Sequence, residues 1–287
     1  MQSLAFVITL PLFIVIVMFI VQVSQLMIGI MMVHYSAYTA ARSASVWLPA
    51  RVEGVDEQAV LDGYRSNNQN LMDIDAFQEV GDQFYLFPSE NSYKYSQIRT
   101  AAVLSCAPIS PSRDLGLGTA GLNPASRRAL EATQRMYSTL VPSSTSNGRI
   151  NPRLANKIAY SDRNTFVIVS WRDAKNGGGS RETYRSPTFN PRNHPNPNVH
   201  WVPGEVGWQD AITVHVLHRF ALLPGPGRLL AKHLVPSSGI PDNVSSRILT
   251  DRENYSEPVY SVIIPASATT TSEGMKSVRP YNQEVRR

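Results

Sequence analysis

No Asp, Glu, Lys or Arg occurs between residues 1 and 41; the first charge is Arg42. Within that stretch, residues 4–33 read LAFVITLPLFIVIVMFIVQVSQLMIGIMMV, with Thr9, Gln22, Ser24 and Gln25 as the clearly polar side chains. A helix needs about 20 mostly apolar residues to cross a bilayer. This run is about 45 Å long as a helix, enough to cross and protrude. Its length and the lack of a basic flank argue against a cleaved secretory signal. No second long apolar run follows, which argues against a multi-span channel. All 27 basic and 22 acidic residues lie beyond residue 41, so a polar body follows the greasy start.

Past Val33, Ala37, Ala40, Ala41, Ala44 and Trp47 recur at helical spacing, and Pro49 is a stop signal. The spacing predicts one helix over 4–47, about 65 Å long, forming a transmembrane and stalk segment (1–47). Pro11 lies inside it and predicts a kink, because proline removes one backbone bond. Gln22, Ser24 and Gln25 are uncharged polar residues that seek partners on other helices, and Gly29 lets another backbone approach. A tolerated polar patch in a lone anchor is the plainer alternative. Arg42 and Arg51 favour placing their side of the membrane in the cytoplasm, although large domains translocate regardless of charge.

Residues 48–287 are predicted to form an α+β head with a small antiparallel sheet. Val55–Arg65 is a short amphipathic candidate, and Ser96–Ser105 a buried helix. Pro124–Leu140 is a clearer helix: Asn123 caps it, and Pro124 takes the first helical position. Ala125, Ala129, Met136, Tyr137 and Leu140 give it an apolar stripe, while Arg127, Arg128 and Arg135 read as a solvated face. Strands are predicted near 164–171, 211–220 and 258–268; Pro265 marks the last as an edge strand or a bulge. Between the first two lies a Pro/Asn-rich insertion, 173–204.

The lone Cys106 allows no internal disulfide and reads as a small buried apolar residue. Gly177-Gly178-Gly179 lacks the Lys-Ser/Thr of a phosphate-binding loop. His215 and His218 are three apart on a strand and point to opposite faces, so they cannot share a metal. His194 and His200 have no Cys or carboxylate nearby. Asp56, Glu57 and Asp62 suit a helix N-terminus. No G-x-S-x-G elbow is present. The expectation is therefore no enzyme, no catalytic or metal residues and no cofactor. A net charge of +5 is modest for 287 residues and is not the footprint of a nucleic-acid binder.

Two stretches carry a family resemblance. Phe6, Leu10-Pro11, the apolar run Leu12–Val21 and Ala40-Ala41-Arg42 form the first. AITVHVLHRFALLPG (211–225) and VIIPASATTT (262–271) form the second. In this order they resemble the TadE-like family of pilin-like proteins of tight-adherence (Flp-type) pili in bacteria. They cover roughly 75 residues; 50–205 is not covered. The family's first glutamate falls at Ala5 and its mid-helix acid at Gln22, and its leader-cleavage point falls just before Met1. The resemblance implies a minor pilin or pilus-assembly subunit in the bacterial inner membrane, with its head in the periplasm, passing into a pilus. Its partners would be other pilins, the assembly machinery and membrane lipid, with no nucleic acid. Helix–helix packing would fall to Phe6, Pro11, Gln22, Gln25, Gly29 and Ala40. A rival reading is a single-pass anchored binding module, using His200, Trp201 and Trp208 as a surface contact. A tethered envelope enzyme is a third reading, without motif support.

Overall fold

A computed structural model describes residues 2–48, 77–80, 83–86, 93–142, 148–172, 211–223, 231 and 259–272. The fold is α+β: one long apolar N-terminal helix, further helices and a small antiparallel sheet. Helix α1 runs unbroken from Gln2 to Trp47, through Pro11. Strands β1 (Phe77–Val80) and β2 (Gln83–Leu86) follow, then helices α2 (Tyr93–Cys106), α3 (Pro124–Leu140) and α4 (Ile150–Asn164). Strands β3 (Thr165–Arg172), β4 (Ala211–Ala221) and β5 (Ser261–Thr271) complete the order.

The five strands lie in the order β1-β2-β3-β4-β5. β1 pairs antiparallel with β2 in the register Phe77↔Leu86, and β2 antiparallel with β3 in the register Phe84↔Trp171. Across β4 and β5, Thr213 Oγ1 meets Thr269 Oγ1 at 2.9 Å, while Leu222 N donates to Tyr260 O at 2.7 Å. The partner number falls as the first rises by the same step, which defines an antiparallel register. Among the described residues β5 is the edge strand of the sheet, the position at which a strand accommodates a proline such as Pro265.

The three later strands start within three residues of their predicted starts, where β-branched residues alternate with others. β1, β2 and α4 are additions to the sequence reading. β1 and β2 have four residues each, too short for a convincing period, although Gly81-Asp82 between them is a hairpin dipeptide. In α4, Ile150, Leu154 and Ile158 repeat every four residues, and the chain passes from Asn164 straight into β3 with no punctuating Gly or Pro. Asn123 caps α3 as expected, its side chain accepting from Ala125 N at 3.0 Å. The far end of α3 corrects the expectation. Met136, Tyr137 and Leu140 are exposed, because the buried face is Ala125, Ser126 and Leu130 instead. Val55–Arg65 and the insertion 173–204 lie outside the described residues.

The chain divides into two compact units. The first comprises 1–36, 103–166 and 216–266. Its core joins Leu122 and Leu130 to Ile158 and Ala159, beside Ala107. Buried Asp162 binds α3 to α4, accepting from Ser126 Oγ at 2.7 Å and Asn123 N at 3.3 Å. The second unit comprises 37–102, 167–215 and 267–287. There Tyr95 Oη donates to Val167 O at 2.7 Å, and buried Lys94 Nζ donates to Leu48 O at 3.0 Å. An ammonium at that point satisfies a carbonyl at the C-terminal end of α1, where the helix dipole favours positive charge.

Candidate functional site: the two faces of the long helix

Helix α1 changes character along its length. From Thr9 to Val21 every residue except half-buried Met18 is exposed, and nearly all are apolar. From Gln22 onward one face is covered: Gln22, Gly29, Val33, Ala37, Ala40, Ala44 and Leu48 are all buried. Steps of three, four and seven keep these residues on one side of a helix. The other side stays exposed and apolar, with Val23, Met27, Met31, Tyr35 and Tyr38 following one another at the same spacing. Met31 is 71% exposed and Met27 63%. This helix is long and apolar enough to cross a membrane. The segment Gln2–Val21 alone is about 30 Å of helix, the hydrocarbon thickness of a bilayer.

The covered face begins with a polar latch in the first unit. Leu223 N donates to Gln22 Oε1 at 2.7 Å. Leu223 follows β4, so a backbone donor released at the strand end finds its acceptor on the helix. Gln22 Nε2 is buried and makes no hydrogen bond. Two turns on, Gly29 faces the side chains of Phe220 and Ile264. A methyl group there would lie 3.0 Å from the Phe220 ring and 3.4 Å from Ile264 Cδ1. Glycine at this position therefore allows close approach of helix and sheet.

We expect Gln22→Leu to cost about 1–3 kcal/mol, since it leaves the Leu223 amide without an acceptor. Amide hydrogen exchange at Leu223 reads this directly. Unchanged exchange in the variant would show that the latch carries no load.

Of the residues predicted to pack helix on helix, Gln22 and Gly29 thus meet the chain's own sheet end, and Ala40 is fully buried in the second unit. Gln25 and Pro11 are exposed, and Phe6 lies on α1. Ser24 Oγ donates to Ile20 O of its own helix at 2.9 Å. His200, Trp201 and Trp208 lie outside the described residues.

Sequence reasoning did not foresee a buried polar cluster behind this face, in the first unit. Thr165 Oγ1 lies 2.9 Å from His218 Nδ1 and 3.4 Å from Ser161 Oγ, which donates to Val103 O at 2.6 Å. The Cys106 thiol bonds to the Ser36 and Thr165 side chains. Tyr160 sets its ring edge-on to His218, 6.4 Å between centroids, and donates from Oη to Arg219 O at 3.0 Å. These residues come from distant segments, and no local spacing announces them. Burial pushes the Cys106 thiol up to about 11 and His218 down to about 3. A reactive cysteine needs the opposite shift, with a thiolate favoured by nearby positive charge. Thr165 links the neutral thiol to the neutral imidazole. His215 sits on the opposite strand face, its Nε2 3.4 Å from Ser170 Oγ, and is also lowered by burial. Among the described residues, no three His, Cys, Asp or Glu side chains gather where a metal could bind.

Comparison of this chain with protein-family models, curated proteins and solved structures returns no match.

Proposed function

We propose that this protein is a pilin-like subunit, a minor pilin or pilus-assembly component of the TadE-like type, anchored by α1 and assembling through it. One observation carries the reading: beyond Gln22, α1 has one face seated on its own chain and the opposite face apolar and exposed. That outer face continues the exposed apolar segment Thr9–Val21 without a charged break. Such a surface is satisfied equally by lipid tails and by like helices, so a subunit can be stored in the membrane and then transferred to a helix bundle. Mechanism here means exchange of packing partners, with the head carried outside the cytoplasm and no bond chemistry. The family resemblance of residues 6–42, 211–225 and 262–271 supports the same reading.

Single cysteines at Met27 and Met31 test it, in cells that make the chain with its native neighbours. Bifunctional thiol crosslinkers should join both positions to other small helix-bearing membrane proteins. A cysteine at Ala40 should give none. The exposed Gln25 supplies a second arm: Gln25→Leu should weaken partner recovery while membrane insertion is unchanged. Crosslinking of Met27 and Met31 to nothing, with the chain still in the membrane, would leave a lone anchored module and overturn the pilin reading.

A further inference from the structure

The net positive charge of this molecule falls in one stretch of the chain. Residues 103–166 hold eight basic and three acidic residues, which equals the whole formal net charge of +5. All belong to the first unit, the same unit that contains α1 from its start to Ser36. Helix α3 presents part of this charge in a particular setting. At 100° per residue, Arg128, Arg135, Thr139, Met136 and Leu140 fall within about 140° of its circumference. All five are exposed, Met136 at 61% and Leu140 at 72%. The arginines lie along the helix, their Nε atoms donating to Pro124 O and Glu131 O, each at 3.4 Å. A soluble helix face is expected to be polar throughout; this one pairs guanidinium groups with large bare apolar side chains.

We propose that this sector of α3 docks on the anionic phospholipid headgroups of the bilayer that α1 enters. Arginine on one flank and Met/Leu on the other is the chemistry of a helix lying in a membrane interface. The cations meet phosphate, and the apolar groups reach the acyl boundary. Charge complementarity selects anionic lipid, because zwitterionic headgroups offer no net attraction to the basic flank. The tether raises the odds of contact, since α1 holds the unit near the surface and makes docking intramolecular. An acidic protein would satisfy the arginines but has no need of Met136 and Leu140 beside them. The proposal rests on the reading of α1 as a membrane anchor.

The test uses the full chain in lipid nanodiscs, with a fluorophore on cysteine at either Ile14→Cys or Thr139→Cys and nitroxide-bearing lipid as quencher. Buried Cys106 stays unlabelled, its thiol being inaccessible. The Ile14→Cys label should be quenched in phosphatidylcholine discs and in discs containing phosphatidylglycerol. The Thr139→Cys label should be quenched in the phosphatidylglycerol discs alone. Arg128→Gln and Arg135→Gln should each reduce the docked population on the order of fivefold. The charge-preserving Arg128→Lys/Arg135→Lys variant should retain docking and so guards against misfolding. Inorganic phosphate should relieve the quenching no more than sodium chloride of equal ionic strength does. If the Ile14→Cys label is unquenched in both discs, the anchor reading falls and this proposal with it. If it is quenched but Thr139→Cys is not, or is quenched equally in both lipids, lipid docking alone is overturned. Protection of the Thr139→Cys label by added polyglutamate, without quenching by lipid, would assign the face to an acidic protein instead.

Discussion

Gly29→Leu lowers the stability of the protein by about 3 kcal/mol, the upper part of the range for forcing extra carbon into a packed site. The built-in Cβ position is already 3.0 Å from Phe220 Cδ2 and Cε2, tighter than ordinary contact, and Ile264 closes the other side. A leucine must push α1 away from β4 and β5, which strains the Gln22–Leu223 latch two turns earlier. Gly29→Ala sets two effects against each other. Alanine gains up to about 1 kcal/mol over glycine within a helix, while its methyl crowds the Phe220 ring. Its stability should stay within about 1 kcal/mol of the parent. Trimming the ring in Gly29→Ala/Phe220→Leu should make the alanine substitution favourable relative to Phe220→Leu alone. Thermal unfolding in detergent, followed by loss of helical circular dichroism, reads the parent and all four variants. A Gly29→Leu variant as stable as the parent would mean that helix and sheet do not pack at this point.

The second large effect is acid lability centred on His218. Its imidazole is fully buried, with Nδ1 on Thr165 and Nε2 without a partner, so burial penalises the cation and holds its pKa down at about 3. In the unfolded chain a histidine takes its proton near pH ~6.5. Between these values the unfolded state binds a proton that the folded state refuses, so stability falls as pH falls. The contribution is complete above pH ~6.5 and is lost progressively below it, the loss reaching about 3 kcal/mol at pH ~4. His215, also lowered by burial, acts in the same direction. His218→Asn keeps a hydrogen-bonding side chain but cannot take the proton, so its stability should decline less steeply between pH ~6.5 and pH ~4, with His215 supplying the remaining slope. Denaturant midpoints across that interval give the comparison. Parallel slopes for parent and variant would exclude His218 as the titrating group.

These two positions show how differently a site can be written into a chain. Gly29 stood out early, as a glycine in an apolar helix that permits close approach. What it approaches, Phe220 and Ile264, lies some two hundred residues away, and no spacing rule links them. Gln22 likewise announced itself as polar among apolar residues. Its partner is a backbone amide at the end of β4, where a reading from the helix alone pointed to other helices. His218 was legible only as one member of a pair on opposite strand faces, which ruled out a shared metal. Its partner Thr165, and the Ser161 and Cys106 that Thr165 meets, each look ordinary in sequence.

The chain by itself determined the long apolar helix, the capped start of α3 and the last three strands. Each of these follows from neighbours in sequence: absence of charge, a 3.6-residue or two-residue period, and Pro or Asn at a helix end. Tertiary structure alone decided which side of α1 is covered and that the end of α3 stays bare. It also decided where the buried imidazole loses its proton. Those outcomes depend on desolvation and close packing between segments far apart along the chain, and local periodicity carries no information about either.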